Sequence, residues 1–438
     1  MKKVFAAALL LLGTTPVFAG PAEMRLAQAV RANDLRGIRA ALAAKANVNA
    51  PLPDQSTVLA WAVDRQSEEA VKLLLAAGAL PHALVPVAPA PLALACELGN
   101  PAIVTALLKA GADARYARPA GASALALCAS AATPVALAAM QAKGASVNAT
   151  DTQGQTPLMW AAMYGNTQNI AWLLRHGARV NIVDKRGFTP LFFALRSKTP
   201  QAATLLMDAG ASVNAILVDG TSVVQAAVLV GNVPFAIQAV QHGADVKRMD
   251  KDGKQVIHLA ASTGDADFVK AVLAKGVDPN ILTERPPIAA GRGPGPTPMP
   301  IAATPLQFAA RAGSPAAMKA LVDAGARPDI KGPDGMTVAV AAAGSGKLEA
   351  MQYAYELDPH LDVRVRGGRS LMHVAVAARG TQQPLEVIQF LVDKGAPLAI
   401  ADDSKDTPGD ALNRNGDQAI REFYIKLLRE RGIVSENH

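Results

Sequence analysis

The stretch from Asp151 to Ile182, DTQGQTPLMWAAMYGNTQNIAWLLRHGARVNI, holds one complete structural unit. Gly154 permits a left-handed backbone turn. Thr156 and Pro157 then start a helix, since threonine caps free N–H groups and proline at the first helical position forfeits no hydrogen bond. Leu158, Ala161 and Ala162 recur at helical spacing, and the alanines let paired helices approach closely. Gly165 breaks the chain before a second helix with the apolar stripe Ile170, Leu173 and Leu174. Gly177 ends that helix with positive φ. Asn181 follows in a turn, where its amide bonds nearby backbone.

The unit repeats. Gly78, Gly111, Gly144, Gly177, Gly210, Gly243 and Gly276 lie 33 residues apart, six of them are followed by alanine, and Lys45 fills the same slot one period earlier. Gly187, Gly220 and Gly253 keep step with Gly154. Thr189-Pro190 and Thr304-Pro305 repeat the helix start, and Asn49, Asn148, Asn214 and Asn280 repeat Asn181. A 33-residue period with a turn and two short antiparallel helices resembles the ankyrin repeat family. The resemblance implies an all-α solenoid of about 10–12 helix-turn-helix units with short β-turn fingers, over residues 20–433. Unit starts fall near Pro51, Leu84, Ala117, Thr150, Val183, Ile216 and Met249. After Gly276 the next equivalent glycine is Gly325, 49 residues on, so 16 residues are inserted. Gly395 follows two periods plus four later, with Asp358 in the missing slot and the extra residues expected in Arg379–Pro384.

Residues 1–19 read as a cleaved secretory leader. Lys2 and Lys3 precede the apolar run Val4–Leu12, and Val17-Phe18-Ala19 offers small residues for cleavage after Ala19. Export of a bacterial type to the periplasm is expected, with no cysteine for a lipid anchor and no stable membrane insertion after cleavage. The formal charge of +7 falls to +5 without Lys2 and Lys3. The charges are dispersed and the chain is exported, so nucleic acid is not an expected partner.

Cys96 and Cys128 lie 32 residues apart, in first helices of adjacent repeats. Neighbouring helices pack about 8–10 Å apart, whereas a disulfide wants α-carbons within roughly 4.4–6.8 Å. They are therefore read as buried thiols, with an oxidising compartment keeping a bridge open as the alternative.

Two segments depart from the pattern. Leu282–Ala302 contains six prolines and three glycines, which rule out a regular helix. It is either a tolerated loop or an arm that touches a partner. Pro81–Pro91 is a shorter proline-rich turn. At the ends, Arg25, Arg31, Asn33, Asp34 and Arg36 supply a polar outer face. A cap over residues 401–433 carries the core stripe Ile420, Phe423, Tyr424, Leu427 and Leu428, before a tail at 434–438.

No catalytic residue, metal site or cofactor is expected. The chain has no HExxH, no paired CxxC and no GxSxG, and Gly344-Ser345-Gly346-Lys347 lacks the first glycine and the hydroxyl residue of a phosphate loop. Asp151, Asp184 and Asp250 recur with the fold as turn residues. The resemblance places His258 and His373 in the structural histidine slot of the family's Thr-Pro-Leu-His element.

Ankyrin proteins bind partners through finger tips and first-helix ends lining a concave groove. Carried onto this sequence, those positions include Met163, Tyr164, Arg186, Phe188, Arg196, Leu229, Val230, Lys251 and Lys254. Apolar and aromatic residues interspersed with arginine have the composition of a protein-binding hot spot. The expected function is a non-catalytic, monomeric, periplasmic scaffold for a protein partner, serving as an accessory protein or as an inhibitor or immunity protein. The alternatives are an enzyme or small-ligand receptor on the same frame, and a secreted effector aimed at host proteins.

Overall fold

A computed structural model describes residues 20–82, 90–118, 121–197, 199–284, 303–332, 335–378, 384–415 and 417–433. The leader, the tail, residues 285–302 of the insertion, residues 83–89 of the second proline-rich turn and residues 379–383 lie outside them. The chain divides into two compact units, Met1–Val218 and Asp219–His438.

Among the described residues each unit holds six helix pairs. In the first unit the first helices are Pro21–Ala32, Val58–Asp64, Pro91–Leu98, Ala124–Ala131, Pro157–Tyr164 and Pro190–Ala194. Their partners are Leu35–Ala43, Glu68–Ala76, Pro101–Lys109, Pro134–Ala142, Thr167–Arg175 and Pro200–Asp208. In the second unit the first helices are Val223–Leu229, Val256–Thr263, Pro305–Ala312, Val338–Ser345, Leu371–Val376 and Pro408–Asn415. Their partners are Val233–Gln241, Ala266–Leu273, Pro315–Asp323, Leu348–Leu357, Pro384–Asp393 and Gln418–Glu430. Within each unit, first helices stack on first helices and second on second. This is the all-α ankyrin architecture, with one two-residue antiparallel ladder pairing Arg364 with Ser370 and Val365 with Arg369.

Local chemistry explains the elements. Thr57, Thr156, Thr304 and Thr337 cap first helices by accepting the N–H three residues on. Second helices end on the periodic glycines with φ between +72° and +95°, a conformation that an L side chain adopts only under strain. Leu158, Ala161, Ala162, Ile170 and Leu173 are at most 1% exposed. Each buried leucine or isoleucine contributes about 1.5–3 kcal/mol. In the second helix Trp172 is buried and Leu174 only half-buried, so the stripe is rotated from the one read in sequence.

The turn asparagines reach further than nearby backbone. Asn148 Nδ2 donates to Gly177 O at 2.9 Å and its Oδ1 accepts from Arg179 N at 2.9 Å. Asn49 and Asn181 grip the following repeat in the same way. Asn280 does so across the insertion, to Gly325 O at 3.0 Å and Arg327 N at 2.7 Å. Thr283 N donates to Ala303 O and Ala303 N to Thr283 Oγ1, closing the base of the inserted loop. The insertion therefore leaves the repeat register intact.

The reading of Cys96 and Cys128 as thiols is corrected: they form a disulfide, fully buried, with α-carbons 4.2 Å apart. The 8–10 Å spacing belongs to helix axes. Facing α-carbons each sit about 2.3 Å toward the partner, which brings them within roughly 4–5 Å. Buried Ala93, Ala95, Ala124, Ala126 and Ala129 allow that approach.

Candidate partner-binding face

The fingers are shaped by aspartates. Asp184 Oδ1 accepts from Arg186 N and Phe188 N, both at 2.9 Å. Asp151 does the same for Gln153 N and Gln155 N, and Asp250 for Asp252 N and Lys254 N, all at 2.8 Å. These carboxylates satisfy turn backbone, which accounts for their 33-residue spacing without any catalytic role. Adjacent fingers are joined by Lys185 N donating to Gln153 O at 2.9 Å.

In the first unit Tyr164 is 60% exposed at the end of its helix and stacks on half-buried Trp160, centroids 6.2 Å apart. Met163 beside it is half-buried. Arg186 lies over Phe188 at 5.0 Å, and its Nε and Nη2 donate to Asp184 Oδ2 at 3.3 and 3.2 Å. Phe188, half-buried, meets buried Phe192 and Phe193 edge-on at 5.7 and 6.2 Å. Arg196 is exposed at the next helix end.

In the second unit Leu229 is 79% and Val230 59% exposed. Lys251 is exposed, while half-buried Lys254 lies 5.8 Å above the Phe308 ring and 3.9 Å from Asp252. The nine residues named from sequence thus fall five in one unit and four in the other. Val218, 92% exposed on a finger, belongs with the first group. Trp160, assigned to packing from sequence, forms a ledge for Tyr164.

His258 and His373 are structural. Their Nδ1 atoms accept from Gln255 N and Ser370 N, both at 3.1 Å. Their Nε2 atoms bond Ile281 O at 3.0 Å and Asp406 O at 2.9 Å. Burial pushes both pKa values below the ordinary histidine value. Among the described residues no group of three or more histidine, cysteine or acidic side chains is placed to hold a metal ion, and no helix is long and apolar enough to cross a membrane.

No curated protein matches the chain. The human ASB11 ankyrin repeat domain is similar in structure, with 24% identity, a TM-score of 0.43, and coverage of 56% of this chain and 100% of that domain. The family model for three-copy ankyrin repeats matches residues 26–118, 125–217 and 306–402, and the single-repeat model matches 252–284. With those matches spanning most of the helix pairs and the finger geometry described, the chain belongs to the ankyrin-repeat family.

Proposed function

We propose that the chain is an exported, periplasmic interaction scaffold that holds a protein partner against its fingers and first-helix ends and performs no chemistry itself. Ankyrin repeats are in general protein–protein interaction modules without catalytic activity. The observation that carries the reading is the exposure of Tyr164, Leu229 and Val230 at helix ends where repeats of this family meet partners. Large apolar side chains held out in water beside arginines have the make-up of an interface centre. Export rests on Lys2, Lys3 and the following apolar run, and the buried Cys96–Cys128 bridge favours an oxidising compartment. The scaffold serves an exported enzyme as accessory, or blocks a toxin as inhibitor or immunity protein.

The test is crosslinking and pull-down from the native periplasm, comparing the wild type with Tyr164→Glu/Leu229→Glu. A protein captured by the wild type and lost by the folded variant supports the reading. Capture of the same protein by both moves the contact away from these residues.

A further inference from the structure

The chemistry of the partner can be read from how charge is layered on the first unit. Over residues 151–218 the finger tips and helix ends form a continuous patch. Lys185 N bonds Gln153 O, joining the finger that Asp151 opens to the one carrying Arg186. A β-carbon at Gly187 would lie 3.8 Å from Val218 Cγ2, so the next finger is adjacent as well. A β-carbon at Gly165 would collide with Ser197 Oγ, which sets the end of the Tyr164 helix against the Arg196–Ser197 turn.

Within this patch the carboxylates lie underneath and the cations on top. The Asp184 side chain is 0% exposed, with one oxygen taken by backbone N–H groups and the other by Arg186. Asp151 is half-buried and lends an oxygen to two backbone N–H groups. Lys185 and Arg196, by contrast, are exposed and form no ion pair among the described residues. Arg186 keeps 60% of its side chain exposed and commits two N–H donors to Asp184. Its remaining donors are held in a fixed plane against Phe188, so little conformational entropy is lost when they bind. Further along the unit, Glu97 and Arg118 neutralise each other at 2.7 Å. Beside the cations stand apolar anchors, the Trp160–Tyr164 stack and Val218.

Resting on the scaffold reading, we infer that this patch takes an acidic segment of a protein partner. Carboxylates face Lys185, Arg186 and Arg196, and an interspersed aromatic or aliphatic side chain lies on Tyr164 and Val218. A basic segment would meet exposed cations over buried carboxylates, and a purely apolar one would leave the charged donors unpaired and desolvated.

The experiment pans a displayed library of random twelve-residue peptides against the full chain, then measures the selected peptides on Lys185→Glu/Arg196→Glu and on Tyr164→Glu, with circular dichroism confirming each fold. The expected result is enrichment of aspartate and glutamate beside aromatic or aliphatic residues. Affinity should fall about tenfold or more on the charge-reversed variant and decline with added salt. Selected peptides without acidic enrichment, or with affinity unchanged by charge reversal, overturn the inference. If those peptides still need Tyr164, the scaffold reading survives that failure. If no peptide prefers the wild type over Tyr164→Glu/Leu229→Glu, both fail together.

Discussion

Asn169 Nδ2 donates to the Ala132 carbonyl oxygen at 2.7 Å, from the second helix of one repeat to the end of the first helix in the repeat before it. It also reaches Ala129 O at 3.0 Å and Cys128 O at 3.3 Å. The relationship compensates a sequence defect. Ala132 stands where Gly99 and Gly165 end their helices in a left-handed turn, and it adopts an extended backbone with φ −84° and ψ −177°. The carbonyls at the helix end then need another donor, and fully buried Asn169 supplies it. Asn169→Leu keeps the volume and removes the donor. Leaving those carbonyls unsatisfied in the interior should cost about 1–3 kcal/mol, measurable by urea denaturation. A stability equal to wild type would show that water or backbone already satisfies them.

The Cys96–Cys128 bridge spans the two repeats whose helix signals are weakest: the Pro91–Leu98 helix has no side-chain cap, and the glycine slot holds Ala132. Closing a loop of this length stabilises by about 3–4 kcal/mol when treated as chain entropy. Reductant should lower the unfolding midpoint of the wild type and leave Cys96→Ala/Cys128→Ala unmoved. Thiol titration of denatured, unreduced protein should find no free cysteine. Two titratable thiols would return the pair to the reduced state expected from sequence.

The two buried histidines make the second unit sensitive to acid. Each accepts a backbone N–H at Nδ1, a role that protonation abolishes, and burial lowers both pKa values. A depressed folded-state pKa means that unfolding takes up protons. The stabilisation is therefore present above the unfolded value of about 6.5 and is lost as pH falls below it toward the folded value. The chain itself provides the control: Gln307 occupies the same helical position, accepting Thr304 N at 3.0 Å and donating to Ile330 O at 3.0 Å. His258→Gln/His373→Gln should keep these bonds and flatten the stability profile between pH 7 and 5. An unchanged acid slope in the double variant would assign it to other groups.

How far the sequence could be read follows from which constraints are local. A helix ending on a left-handed residue needs glycine at that position, so the period at Gly78 through Gly276 exposes the fold directly. Thr156-Pro157 is equally local. Spatial pairings between repeats are less legible. The reach of Asn148 to Gly177 O and of Asn169 to Ala132 O depends on how one repeat sits on the next. The cysteine pair was misjudged because axis separation stood in for the distance between facing α-carbons. At the candidate face, composition could not decide which of two adjacent residues points outward. The rotation of the helix end makes Tyr164 exposed and Met163 half-buried.

Lys45 carries the repeat's terminal turn without the residue suited to it. Its N–H bonds Leu42 O at 2.9 Å and Ala46 N bonds Ala41 O at 3.1 Å. One repeat later, Gly78 N bonds Leu75 O and Ala79 N bonds Leu74 O, both at 3.0 Å. The matching bonds force Lys45 to φ +58°, a left-handed conformation that an L residue adopts at a cost of about 1–2 kcal/mol. Glycine relieves that strain but enlarges the unfolded ensemble, so Lys45→Gly should stabilise by a net ~0.5–1 kcal/mol. The effect should be local, appearing as slower amide exchange in Leu35–Ala43. The reverse change, Gly78→Ala, isolates backbone strain, because an added β-carbon there meets nothing within 4 Å. It should destabilise by about 1–2 kcal/mol. Slower exchange in the first variant and faster exchange around Gly78 in the second would establish backbone conformation as the cause. Equal exchange in Lys45→Gly and wild type would mean that this first turn frays and exerts no strain on the array.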